Sequence, residues 1–313
     1  MTAQQKIDDA AADREATLKL FNVSLTILPG ISHLTSLQEL DVSHNKLRTL
    51  PTLPAGLQIL RAYENYLQNL PSLPSGLRRL YVSSNNLRTL PTLPSGLQIL
   101  YAHRNYLQTL PDLPSGLREL YVSHNSLRTL PTLPSDLQLL YAHRNCLQTL
   151  PSMSHLTSLQ VLAISDNTLQ TLPDLPSNLR ILDIFDNKLQ TLPVLPKTLQ
   201  NLNVPNNLLQ SLPKFPADLL SLEISCNNIR TLPDLSHLTK LYYIGIDHNP
   251  ITHSHVNNHS LLKDKIRFNQ RDIDAFNVAV SLFTNKSTYF ALLPRDVTDI
   301  IKEYISYVPA TLR

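Results

Sequence analysis

Residues 117–137 read LRELYVSHNSLRTLPTLPSDL, and the chain repeats this plan along most of its length. The string L-x-x-[LI]-x-[VAI]-x-x-N-x-[LI] starts at Leu37, Leu57, Leu77, Leu97, Leu117, Leu137, Leu159, Leu179, Leu199, Leu219 and Leu241. Spacing is 20 residues, except for 22 into Leu159 and into Leu241. Asparagine holds the ninth position every time, from Asn45 to Asn249. A degenerate copy, LKLFNVSLTILP, precedes them with Val23 in place of the asparagine. A fixed period of this length means stacked coils, because one coil cannot bury its apolar face alone.

Each position has a physical reading. In the copy that starts at Leu117, Leu120 and Val122 point inward, whereas Glu119, Tyr121 and Ser123 point away along the sheet, by the period-two rule of a strand. The ninth asparagine both donates and accepts, so an asparagine ladder to the backbone of neighbouring coils is expected. The remainder of the coil reads LPxLPxxL, as in 90–97. Two prolines three residues apart fix φ and remove donors, which predicts an extended, polyproline-like segment with inward leucines. ISHLTSL (31–37), MSHLTSL (153–159) and LSHLTKL (235–241) lose the second Leu-Pro pair and permit a short helical turn. The expected fold is a leucine-rich-repeat solenoid: a curved parallel β-sheet on the concave face, an extended convex face and a short α-helical C-terminal cap. Three regions follow: an N-terminal cap with the degenerate repeat (1–36), eleven repeats (37–252) and a helical cap or small appended module (253–313).

Composition narrows the function. The 313 residues include 23 prolines, only 6 glycines and no tryptophan. A chain so rich in leucine can bury a large core, which excludes global disorder. Its leucines never form a run long enough to span a membrane. The start, MTAQQKIDDAAADRE, has no apolar stretch of the kind a Sec-type signal peptide needs. A net charge of +3 is too balanced to point to nucleic acid. Cys146 and Cys226 sit four coils apart, roughly 20 Å, so free thiols and a monomer are expected. His253, His255 and His259 lack a cysteine or carboxylate to complete a ligand set, so no metal is expected. No Walker loop, dinucleotide turn or nucleophile elbow is present; no cofactor and no enzymatic activity are expected.

Function is expected on the concave face, where repeats are free to differ. The fifth position places Tyr81, Tyr101, Tyr121 and Tyr141 in consecutive coils, with His103, Arg104, His124, His143 and Arg144 beside them. Further on the same columns turn acidic through Asp166, Asp183, Asp186, Glu223 and Asp247, with Phe185 among them. An exposed aromatic and basic centre followed by an acidic end is expected to bind a partner, because aromatics and arginine concentrate at hot spots. A duplicated forty-residue unit (YAHRN at 101–105 and 141–145) would produce the same ladder without selection for binding.

The unit LPxLPxxLxxLxVxxNxLxxLP, over roughly residues 28–250, resembles the repeats of secreted bacterial effectors of the YopM and IpaH type. The resemblance implies delivery by a bacterial secretion machine into a host cell, in its cytoplasm, and a concave surface that binds a host protein. IpaH-type proteins carry a cysteine-dependent ubiquitin-ligase domain after the repeats; no cysteine follows the repeats here, so that activity does not carry over. In the tail, LLPRDVTDIIKEYISYVP resembles the first helix of an F-box, which implies an alternative role as an adaptor to a host ubiquitin-ligase subunit. Another alternative is a glycan-binding or structural bacterial repeat protein.

Overall fold

The computed structural model describes residues 3–254. The expected helical cap and the F-box-like stretch lie outside the described residues, as do His255 and His259; the side chain of His253 is likewise not described. Twelve strands of three residues form one parallel sheet in chain order, from Thr17–Lys19 through Ile99–Tyr101 and Glu119–Tyr121 to Tyr243–Gly245. Register never slips: Leu80 lies beside Leu100 and Leu100 beside Leu120. The degenerate copy supplies the first strand, with Leu18 beside Leu40. A second sheet of two short strands pairs Thr231–Leu232 with His253–Ser254.

The inward positions are filled as the period requires. Leu120, Val122 and Leu127 are fully buried, and Leu130 and Leu133 of the Leu-Pro half close the coil from the other side. Before the first strand, helix α1 (Ala3–Ala12) buries Ile7 and Ala10 in the same cluster as Leu18 and Leu20. The Leu-Pro half is extended, ending in one turn per coil, such as Leu117 N to Pro114 O at 3.1 Å. In the three inserts the helical possibility shrinks to linked turns: Leu156 N bonds Met153 O at 3.0 Å, and Leu159 N bonds Leu156 O at 3.2 Å. Two insert histidines hold the coil before them: His155 Nε2 meets Leu133 O at 2.8 Å, and His237 Nε2 meets Phe215 O at 3.0 Å.

The asparagine ladder is present. Asn105 Nδ2 donates to Val82 O in the previous coil (3.0 Å) and to Ala102 O in its own (3.1 Å), while Oδ1 accepts from Leu87 N at 3.0 Å. At the degenerate end, where Val23 breaks the series, Asn45 Oδ1 accepts from both Val23 N and Leu25 N. These bonds pair backbone groups that would otherwise be buried without partners.

The eighth position carries a feature that the sequence does not announce. From His44 (φ 53°) to His248 (φ 56°), the eighth residue of each of the eleven full repeats has a left-handed backbone, although none is glycine. The twist takes the chain out of the strand and delivers the ninth asparagine to the interior. Left-handed backbone is unfavourable for residues bearing a Cβ.

Candidate interaction site on the concave sheet

The concave face carries an apolar cluster of its own, separate from the core. Tyr63, Tyr81, Tyr101 and Tyr121 form it, flanked by Ile59, Ile99, Leu139 and Tyr141. Parallel strands about 4.8 Å apart bring successive fifth-position rings into contact. Ring centroids are 5.0 Å apart for Tyr81–Tyr101 (edge-on), 4.1 Å for Tyr101–Tyr121 (tilted) and 4.5 Å for Tyr121–Tyr141 (stacked). The expectation of four exposed tyrosines is therefore corrected. Tyr101 is 5% and Tyr121 7% exposed, because each ring shields the next and the third-position aliphatics wall them in. The ladder is the floor of the face.

Its two ends differ in charge. The Arg61 guanidinium lies 5.4 Å from the Tyr81 ring centre and pairs with Glu39, supplying a cation over the aromatic face. At the other end stands Asp183, expected on an exposed acidic surface but 1% exposed. Its Oδ1 accepts from Ser165 Oγ at 2.8 Å and from Asn203 Nδ2 at 2.9 Å, which compensates that one oxygen of a carboxylate that the tight sheet has taken out of water. Glu119 accepts from the Tyr101 hydroxyl at 2.8 Å; burial pushes its carboxyl up, against the opposing pull of that bond and of Arg79. Burial, then Asp183 and Glu119, holds the Tyr141 hydroxyl well above its ordinary range.

The seventh and eighth positions divide likewise. His103 is 3% exposed, its Nδ1 2.8 Å from Ser83 Oγ, and burial with Arg104, His143 and His124 nearby lowers its pKa to about 3. His143 repeats the contact with Ser123 and stands edge-on to His124 at 5.3 Å. Arg104 is exposed; Arg144 is half-buried, its Nε 3.4 Å from Asp166 Oδ2. Phe185 and Asp186 are half-buried at the acidic end, where burial and then Asp166 push the Asp186 carboxyl up, opposed by a bond from Asn206. The predicted residues thus lie along one face, with Tyr101, Tyr121, His103 and Asp183 in its floor and Arg104 at its surface. Tyr63, at the seventh position and edge-on to His44, belongs to the same floor but breaks the fifth-position column that sequence reading follows.

A stack of parallel three-residue strands, one per twenty-residue coil, each closed by a buried asparagine, decides the family. The chain belongs to the leucine-rich-repeat family. The Leucine Rich Repeat family model matches residues 36–57. Among solved leucine-rich-repeat structures, the chain is similar to YopM, described as a leucine-rich effector protein, from Yersinia pestis: 31% identity, 80% of this chain and 83% of that one, TM-score 0.66. It is also similar to YopM from Yersinia enterocolitica WA-314, with 34% identity and a TM-score of 0.57 over 81% of this chain; it spans 64% of that relative's length. The functional domain of InlJ from Listeria monocytogenes, described as including a cysteine ladder, shares 26% identity over 74% of this chain and 53% of its own, with a TM-score of 0.65. No curated protein sequence matches the chain. Cys146 and Cys226 are free and exposed in this leucine-rich repeat, as the spacing of coils requires. Among the described residues no three or more His, Cys, Asp or Glu side chains gather as metal ligands, and no helix is long and apolar enough to cross a membrane.

Proposed function

We propose that the chain is a non-enzymatic protein-binding scaffold, a bacterial effector that holds a host protein on its concave face inside the host cell. The observation that carries this reading is the tyrosine floor with polar groups raised beside it. Packed rings are rigid before a partner arrives, so little conformational entropy is lost on docking. The likeness to YopM, itself described as an effector, supports the setting. Contact falls on the raised groups, Arg104, Arg144, His124, Phe185 and Asp186, while Tyr81, Tyr101, Tyr121 and Tyr141 hold them in place and offer ring edges.

The test is photo-crosslinking from the face, followed by binding of the purified partner. Charge reversal at Arg104 and Arg144 should weaken that partner at least tenfold and flatten the salt dependence of association. Val194→Ser, an exposed convex substitution, should leave binding unchanged. Equal affinity of the charge-reversed variant would remove the concave face as the contact.

A further inference from the structure

The edge of the sheet just after the ninth asparagine carries a second, different surface. Positions ten to thirteen of the first six coils hold Lys46, Arg48, Arg88 and Arg128, and no carboxylate. Position twelve alternates strictly: Arg48, Gln68, Arg88, Gln108, Arg128, Gln148. Position ten places Tyr66 and Tyr106 in the coils that carry glutamine. Along the edge the order is therefore Arg48, Tyr66, Arg88, Tyr106, Arg128, one per coil.

These side chains face solvent. Tyr66 is 51% and Tyr106 59% exposed, in contrast to the buried ladder, and the three arginines are exposed. The edge keeps sheet spacing, because backbone bonds join its coils: Tyr66 N to Leu47 O at 2.9 Å, Asn86 N to Leu67 O at 2.9 Å, and Tyr106 N to Leu87 O at 2.8 Å. Equivalent groups two coils apart, at about 4.8 Å per coil, thus recur at about 9.6 Å.

The geometry points to an acidic, proline-rich segment of a partner protein, lying along this edge in polyproline-II conformation with a carboxylate at every third residue. Polyproline II repeats its face every three residues, a rise of about 9.3 Å, which matches the arginine spacing. A β-strand advances about 10 Å in three residues too, but residues three apart then face opposite sides. A helix presents one face every seven residues at about 10.5 Å, a mismatch that accumulates along the row. Arginine suits the carboxylates through paired donors, and exposed tyrosines suit the proline rings between them, as in other aromatic-lined polyproline sites. Three arginines set the length at about seven residues, i, i+3 and i+6. Single-stranded nucleic acid fits less well, because its bases stack on aromatics at each successive nucleotide, whereas Tyr66 and Tyr106 stand two coils apart. The edge is distinct from the concave floor, so this inference stands or falls apart from the function proposed above.

Fluorescence anisotropy with labelled synthetic probes tests it. The probe with four Glu-Pro-Pro units should bind the full chain, and the affinity should fall as salt rises. Arg48→Gln with Arg88→Gln and Arg128→Gln should weaken it at least tenfold, and Tyr66→Ser with Tyr106→Ser several-fold. Both sets install residues that other coils already carry in the same register, Gln68 and Ser126, so circular dichroism melting should be unchanged. A probe of four Glu-Pro-Pro-Pro units, of the same charge but with glutamate at every fourth residue, should bind at least fivefold more weakly. Absent or salt-independent binding of the first probe, undiminished binding by the triple variant, or equal or tighter binding of the shifted probe, a helical peptide with a seven-residue glutamate period or oligothymidine would each overturn the assignment.

Discussion

Tyr101 donates its hydroxyl hydrogen to Glu119 of the next coil at 2.8 Å, on a face where its ring lies edge-on to Tyr81 at 5.0 Å. The bond joins two groups that burial discourages from ionising. Burial, then Tyr121 and Glu119, holds the Tyr101 hydroxyl well above its ordinary range, and burial with Tyr141 does the same for Tyr121.

Stability should therefore fall in alkali. The unfolded chain loses tyrosine protons near pH 10 while the folded ladder retains them, so the folded state binds more protons and loses ground as pH rises. Melting temperature should decline from about pH 10 upward, and Tyr121→Phe should reduce the slope. A melting temperature constant to pH 11 would show that the ladder ionises freely.

Acid should act through His103. Its pKa is lowered to about 3, so the neutral ring's contribution is fully present above the unfolded value and is lost as pH falls from about 6.5 toward 3. The slope from this group should approach ~1.4 kcal/mol per pH unit. His103→Ser, which copies Ser83 and Ser123 at the same position, should remove that part of the slope in urea titrations at pH 7, 5 and 4. Parallel slopes for the two proteins would place the acid sensitivity elsewhere.

Asn105→Ala removes a rung and strands Leu87 N in the interior, whereas Val82 O keeps its bond from Asn85 Nδ2 at 3.1 Å. The cost should be about 1–3 kcal/mol, read as a lower urea midpoint with an unchanged m-value. Loss of less than about 0.5 kcal/mol would mean that water replaces the amide.

The left-handed eighth position predicts an asymmetry between substitutes. Ser84 (φ 52°) should tolerate asparagine with little change, whereas Ser84→Val should cost about 1–2 kcal/mol, since a β-branched residue is a poor fit to that backbone. Equal thermal melts for the two variants would contradict this.

The fold was legible because its determinants recur at fixed spacing: Leu120 and Val122 face inward, and Asn125 ties its coil to the one before, in the same places in every copy. Free cysteines followed from the same arithmetic. Exposure was not legible. A two-residue period tells which face Tyr121 is on, but not that neighbouring rings and Leu139 enclose it there; that depends on packing between coils. The left-handed eighth position was not legible either, because His44, Glu64, Arg104, Asp186 and Cys226 share no chemistry, and glycine, the usual sign of left-handed backbone, is absent from all of them. The histidine clasps of the inserts were hidden for a similar reason, since His155 and Leu133 stand 22 residues apart with nothing in either to mark the bond.

The reach of the asparagine amide has a consequence for ancestry. Asn105 bonds back to Val82 and Leu87, and Asn125 bonds back to Ala102 and Leu107 in the same manner. No rung needs to know how many others exist. Excision of residues 81–120 would bring Tyr121 directly after Leu80, and the Asn125 amide would then find Ala62 and Leu67 where it formerly met Ala102 and Leu107. Unequal recombination between the near-identical forty-residue units can therefore lengthen or shorten the molecule in one genetic event without an ill-fitting intermediate. Overall length is then a heritable trait on which selection can act rapidly, while the chemistry of each coil stays fixed.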